Sequence, residues 1–192
     1  MSMTRRALVF GALLLVAGCG GSGSNDLNTV GYSGPVSIRL DKFKDDEVRN
    51  GAFDVDKNLS TETGNPYGAF LNAARGALGR APAAVLVDRV TLTLGSDTTG
   101  VTAFEQFMGS PMTLYLASSS ATVNVGTVTQ PMGPGPVEVT ITATRDTLAP
   151  IQAALTSGGG VKVGIRVPAA AALPRRFDAR VSVVLYFRAL AV

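Results

Sequence analysis

The residues best equipped for chemistry crowd into one polar stretch. Between Asp41 and Asn65 the chain carries Asp41, Asp45, Asp46, Glu47, Asp54, Asp56 and Glu62, half of its 14 acidic residues. Within that stretch Asp54-Val55-Asp56-Lys57-Asn58 sets oxygen-bearing side chains at alternate positions, followed by Ser60 and Glu62. Calcium takes about six to eight oxygen ligands, so Asp54, Asp56, Asn58 and Glu62 on an irregular loop form a candidate calcium site. The same acids, combined with Asp88 or Asp178, supply the raw material for glycoside hydrolysis, which needs two carboxyl groups about 5–10 Å apart. A solvated acidic loop explains these residues equally well without any ligand. The segment reads as a long loop, and loops of that length are commonly functional or disordered.

The D-x-D-x-N spacing resembles the opening of an EF-hand calcium loop but departs from it twice. Leu59 stands where the sharp-turn glycine belongs, and Asn65 where the bidentate glutamate belongs. Other chemistries are absent outright. The sequence has no histidine, so it builds neither a Ser-His-Asp nor a Cys-His triad, nor an imidazole metal site. No dinucleotide-binding or P-loop glycine pattern occurs. Gly158 to Gly160 follows a helical stretch, the wrong end for phosphate. With no tryptophan and 6% aromatics, an aromatic sugar platform or base-stacking surface has little to work with. These exclusions point away from an enzyme.

Cys19 is the only cysteine. Before it stand Arg5 and Arg6, the apolar run Ala7 to Val16, and the small pair Ala17-Gly18, the order of an export signal. About ten apolar residues make a helix of roughly 15 Å, half the thickness of a bilayer core. Leu15 and Val16-Ala17-Gly18-Cys19 resemble the lipobox of bacterial lipoproteins. That resemblance covers the first nineteen residues alone and implies cleavage before Cys19, diacylglyceration of its thiol and acylation of the new amine. It also implies residues 1–18 as signal peptide and an anchor that several acyl chains make essentially permanent. Gly20, in place of the aspartate that retains such proteins at the inner membrane of Gram-negative cells, implies the outer membrane.

Removal of Arg5 and Arg6 lowers the 17 basic side chains to 15 against 14 acids, so the formal charge of +3 falls to near neutrality. Nucleic acid is therefore not an expected partner. Residues 19–34, Gly/Ser/Asn-rich, read as a flexible tether spanning about 20 Å. Residues 35–192 read as one domain, poor in charge and rich in Val, Thr, Ala and Gly, which favours β-structure.

The elements that must hold the acids follow from hydrophobic periodicity. Val36, Ile38 and Leu40 mark a first strand, and Tyr67 to Leu78 a helix with Phe70, Ala74 and Leu78 on one face. Strands follow at Val90–Leu94, Met112–Leu116, Ala121–Val128, Val137–Thr144, Val161–Val167 and Ala179–Val192. The last, apolar on both faces, is expected to be central in its sheet. Asp146 is placed to cap a short helix over Thr147–Leu155. Asp88-Arg89 reads as a local ion pair and Arg175-Arg176 as a solvated basic turn. About seven strands and one or two short helices make a single antiparallel β-sandwich, immunoglobulin-like in layout. The expected function is a lipid-anchored envelope module that binds or scaffolds an envelope protein or glycan, serving adhesion, motility or outer-membrane assembly. Its contacts are expected from the Lys42–Asn65 loop. The rivals are a carboxylate-dependent glycan hydrolase and a calcium-dependent glycan binder.

Overall fold

A computed structural model describes residues 30–191. Cys19, the signal segment and the tether up to residue 29 lie outside the described residues. The domain is mainly β and consists of two antiparallel sheets. In chain order the elements are β1 (Val30–Lys44), a 3-10 corner (Asp45–Glu47), β2 (Ala52–Asn58), α1 (Pro66–Leu78), β3 (Ala84–Leu94), a second 3-10 turn (Phe104–Gln106), β4 (Met112–Ala117) and β5 (Thr122–Val128). Then come β6 (Val137–Glu138), β7 (Thr140–Ile141), α2 (Arg145–Leu148), a 3-10 turn (Ala149–Ile151), α3 (Gln152–Ser157), β8 (Lys162–Pro168) and β9 (Asp178–Ala191). The first sheet runs β1-β9-β3-β6 and the second β2-β8-β4-β5-β7.

Two arches organise this sandwich. The chain passes from β1 in the first sheet to β2 in the second, and returns from β8 in the second to β9 in the first. β1 pairs with β9 and β2 with β8, so one arch nests in the other. Where they turn, Phe43, Phe53, Phe107 and Phe177 are all buried. Phe43 lies 5.6 Å from Phe53 and Phe107 5.5 Å from Phe177, centroid to centroid, a distance suited to edge-to-face and tilted packing. β9 is central, as its two apolar faces require. The sheet architecture is the expected sandwich. Its strand order differs from the ABED and CFG sheets of an immunoglobulin domain, because the C-terminal strand sits between the first and the third.

The acidic loop proves to be mostly strand. β1 runs through Lys44, and Asp54 to Asn58 belong to β2. Phe53 and Val55 are buried while Asp54 and Asp56 are exposed, a period-two pattern hidden by the density of charge. β1 also starts at Val30, so residues 30–34, expected in the tether, pair with Phe187 to Ala191.

Three further expectations change. Val137–Thr144 is one alternating stretch but two strands: β6 bonds to β3, and β7 to β5, so the chain crosses between sheets at buried Val139. Gly126 permits the crossing, because a Cβ there would collide with the Thr140 carbonyl oxygen. The helix after β7 is capped by Thr144, not Asp146: the Thr144 hydroxyl accepts the Thr147 N–H at 3.3 Å. Pro150, lacking an N–H, then interrupts the helix with a 3-10 turn. Asp88 is the bulged residue of β3 and pairs with Arg188 at 3.2 Å, while Arg89 lies over the Tyr186 ring at 4.0 Å. Arg175 and Arg176 form the expected exposed basic turn, with the backbone N–H of Arg176 donating to Asp45 at 3.0 Å.

α1 starts at Asn65, whose side chain accepts the Gly68 N–H, and buries Tyr67, Phe70, Leu71 and Ala74. Its rings meet Tyr32 of β1 and Phe187 of β9 at 5.8 and 5.1 Å. The buried Tyr67 hydroxyl donates to the Leu155 carbonyl at 2.7 Å and ties α1 to α3.

Candidate functional site

Strand periodicity places Asp54, Asp56 and Asn58 in a row on the outer face of β2. Across the ladder they oppose Arg166, Gly164 and Lys162 of β8. Gly164 leaves a gap in the β8 row, and Tyr115 of β4, its partner on the other side, lays its ring into it. A Cβ on Gly164 would overlap the tip of that ring. So seated, the Tyr115 hydroxyl donates to Asp54 Oδ1 at 2.7 Å. Arg166 donates to Asp54 Oδ2 through Nε at 3.0 Å and Nη2 at 2.7 Å, with its guanidinium 5.4 Å from the Tyr115 ring centre. Lys162 pairs with Asp56 at 3.1 Å. Burial, reinforced by the Asp54 carboxylate, pushes the Tyr115 phenol well above its usual range, so it remains a donor. The hydrogen bond to Asp54 likewise raises the Arg166 guanidinium above its ordinary value.

Around this constellation the outer face of the second sheet forms a groove of about 770 Å³. Ser118, Ser119 and Thr122 add hydroxyls at its rim. Two carboxylates and two cations balance in charge, and donors and acceptors alternate across the floor.

The calcium arrangement is not assembled. Side chains two apart on a strand are separated by about 7 Å, whereas ligands to one calcium ion lie about 2.3–2.6 Å from it. Asn58 Oδ1 accepts from Ser60 N and Oγ at 3.0 and 2.7 Å. Glu62 sits apart from the row: it accepts the Arg39 N–H at 2.7 Å and the Lys57 ammonium at 2.8 Å. Burial pushes the Glu62 carboxyl up, but these two donors outweigh it and hold the group below its ordinary value. Among the described residues no three Asp, Glu, His or Cys side chains are grouped to hold a metal.

Of the acids considered for hydrolysis, Asp41 and Asp178 come together on Arg180, while Asp54 and Asp56 lie on the other sheet. Asp88 and Asp178 lie on the outer face of the first sheet, across the sandwich from Asp54 and Asp56. Asp178 accepts two bonds from Arg180 at 3.0 Å, and Lys44 stands 3.3 Å away. The Arg180 bonds, against some desolvation and with help from Lys44, hold Asp178 below the usual carboxylate range. An acid so held is a poor proton donor. Asp41 approaches Asp178 with Arg180 between them.

Sequence reasoning missed Tyr115, Lys162, Gly164 and Arg166. The signal was present in β8, where Lys162, Gly164 and Arg166 alternate with the apolar row. Which strand they face is a matter of topology, which periodicity leaves open. Comparison with protein-family models, with curated proteins and with solved structures finds no match for this chain.

Proposed function

We propose that the chain is a lipid-anchored, non-catalytic binding module of the bacterial outer membrane, tethered through Cys19, whose ligand-contacting surface is the groove of the second sheet. The observation that carries the reading is the groove itself, a concave, charge-balanced surface whose polar groups are locked in place before any ligand arrives. Tyr115, Asp54 and Arg166 brace one another, so ordering them costs little on binding. Concave sites with a few fixed polar groups are the ordinary form of a recognition surface. The contacts thus come from a sheet face rather than from the Lys42–Asn65 stretch acting as a loop. Among the described residues no helix is long and apolar enough to cross a membrane, and the proposed anchor is the lipid.

Site-specific photocrosslinking in intact cells tests the groove. A crosslinker at Thr122, on the groove rim, is expected to yield adducts that one at Ser37, on the outer face of the first sheet, does not. Adducts from Ser37 alone would overturn the assignment.

A further inference from the structure

Several strand edges of the sandwich are covered, and a short stretch of the β2 edge is left open. On β3 the side chain of Gln152 imitates a neighbouring strand: its Oε1 accepts the Val85 N–H at 2.9 Å and its Nε2 donates to the Val85 carbonyl at 2.8 Å. On β1 the Glu62 carboxylate takes the Arg39 N–H, and α1 packs against the same strand. β6 and β7 are two residues each, where the chain crosses between sheets.

β2 is covered only at its two ends, where Ala52 exchanges backbone bonds with Arg49 at 2.9 and 3.0 Å and the Thr61 N–H donates to the Asn58 carbonyl at 3.2 Å. Leu59 N–H bonds to Val161 O and Ala169 N–H to Gly51 O, which sets the alternation of the β2–β8 ladder. Residues 53, 55 and 57 therefore point their backbone groups at β8, and Asp54 and Asp56 point theirs away. Neither Asp54 nor Asp56 has a backbone partner in the turns and loops.

We propose that the free edge of β2 accepts an extended partner strand carrying Lys or Arg at alternate positions. The backbone of Asp54 and Asp56 offers two donors and two acceptors to such a strand. Side chains directly opposite on one face of a sheet interact, and opposite charges there are favourable. The partner residues opposite Asp54 and Asp56 meet carboxylates that are 49% and 39% exposed. Each carboxylate has about four acceptor sites. Asp54 uses three, on Tyr115 and Arg166, and Asp56 one, on Lys162. The partner residue between the two basic ones continues the buried row of Phe53 and Val55, so it is apolar. A second copy of this chain is the wrong occupant: antiparallel pairing about Val55 sets each Asp54 against the other copy's Asp56, like charge against like.

The inference deepens the binding-module reading by naming a partner chemistry. It is tested on the full chain in detergent, so its result stays readable even if the anchor assignment fails. The probe is a synthetic heptapeptide alternating lysine and valine, and the readout is residue-resolved amide hydrogen exchange. Exchange at the Asp54 and Asp56 amides is expected to slow about tenfold or more at saturation, reporting strand pairing. The double variant Asp54→Asn/Asp56→Asn should bind about tenfold more weakly, the combined effect of two cross-strand pairs. Asp56→Pro should abolish the added protection while keeping the β2–β8 ladder, because the Asp56 N–H takes no part in that ladder. Unchanged exchange at those two amides at millimolar peptide would overturn the proposal. So would equal protection from a glutamate–valine peptide or from a block-ordered peptide of the same composition. Protection of the same amides in concentrated protein without peptide would assign the edge to a second copy instead.

Discussion

Gly164→Ala isolates the packing that builds the groove. A Cβ at Gly164 would occupy the space of the Tyr115 ring tip, and the ring is expected to yield by swinging outward. That movement breaks the 2.7 Å bond to Asp54, a hydrogen bond to a charged acceptor worth about 1.5–3 kcal/mol. It also lifts the ring from beneath Arg166, a further loss of about 0.5–1 kcal/mol. Against this, glycine in a strand is less favourable than alanine by about 0.5–1 kcal/mol. The Asp54–Arg166 pair is half exposed and is left out of the sum. The net expectation is a destabilisation of about 1–3.5 kcal/mol, a fall in Tm of roughly 2–14 °C for a domain of this size. Urea and thermal melts measure it. The decisive step is the double-mutant cycle with Tyr115→Ala. Once the ring is gone, Gly164→Ala should be neutral or stabilising. An equal cost in both backgrounds would mean that the Tyr115 ring is not what Gly164 makes room for.

Two other perturbations address the edges and the acid limb. Gln152→Ala removes both side-chain bonds to Val85 and should cost about 1–2 kcal/mol, with faster exchange of the Val85 amide as its local signature. Glu62 has a folded-state pKa below its ordinary value of 4.5, so its contribution is present above that value and fades as pH falls through the lowered one. Glu62→Gln should therefore destabilise at neutral pH and converge on the parent protein in acid. A stability difference that is constant from pH 7 to pH 2 would contradict the role given to Lys57 and the Arg39 N–H.

The legible part of this molecule was the part with strong periodicity. β9, α1 and β8 carry apolar residues at regular intervals, and each forms where its pattern predicts. β2 escaped because its inward row has only Phe53 and Val55, flanked by enough charge to read as loop. Once β2 is a strand, the calcium constellation dissolves for the same geometric reason: alternate residues on a strand share a face but not a coordination sphere. The sheet crossing at Val139 was invisible because alternation records inside and outside without recording which sheet supplies the neighbour. The groove was half visible. Asp54 and Asp56 stood out as acids, while Arg166 and Tyr115, 112 and 61 residues from Asp54 in sequence, are joined to it only by the pairing of β2, β8 and β4.

The anchor is the premise on which an envelope role depends, and one measurement reaches it directly: mass spectrometry of the mature N-terminal peptide from the native host. The expected species is a chain beginning at Cys19, with diacylglycerol on its sulfur and an acyl group on its amine, and it should be lost in Cys19→Ser. A mature protein that begins elsewhere, or that keeps a free Cys19 thiol, would contradict the anchor assignment.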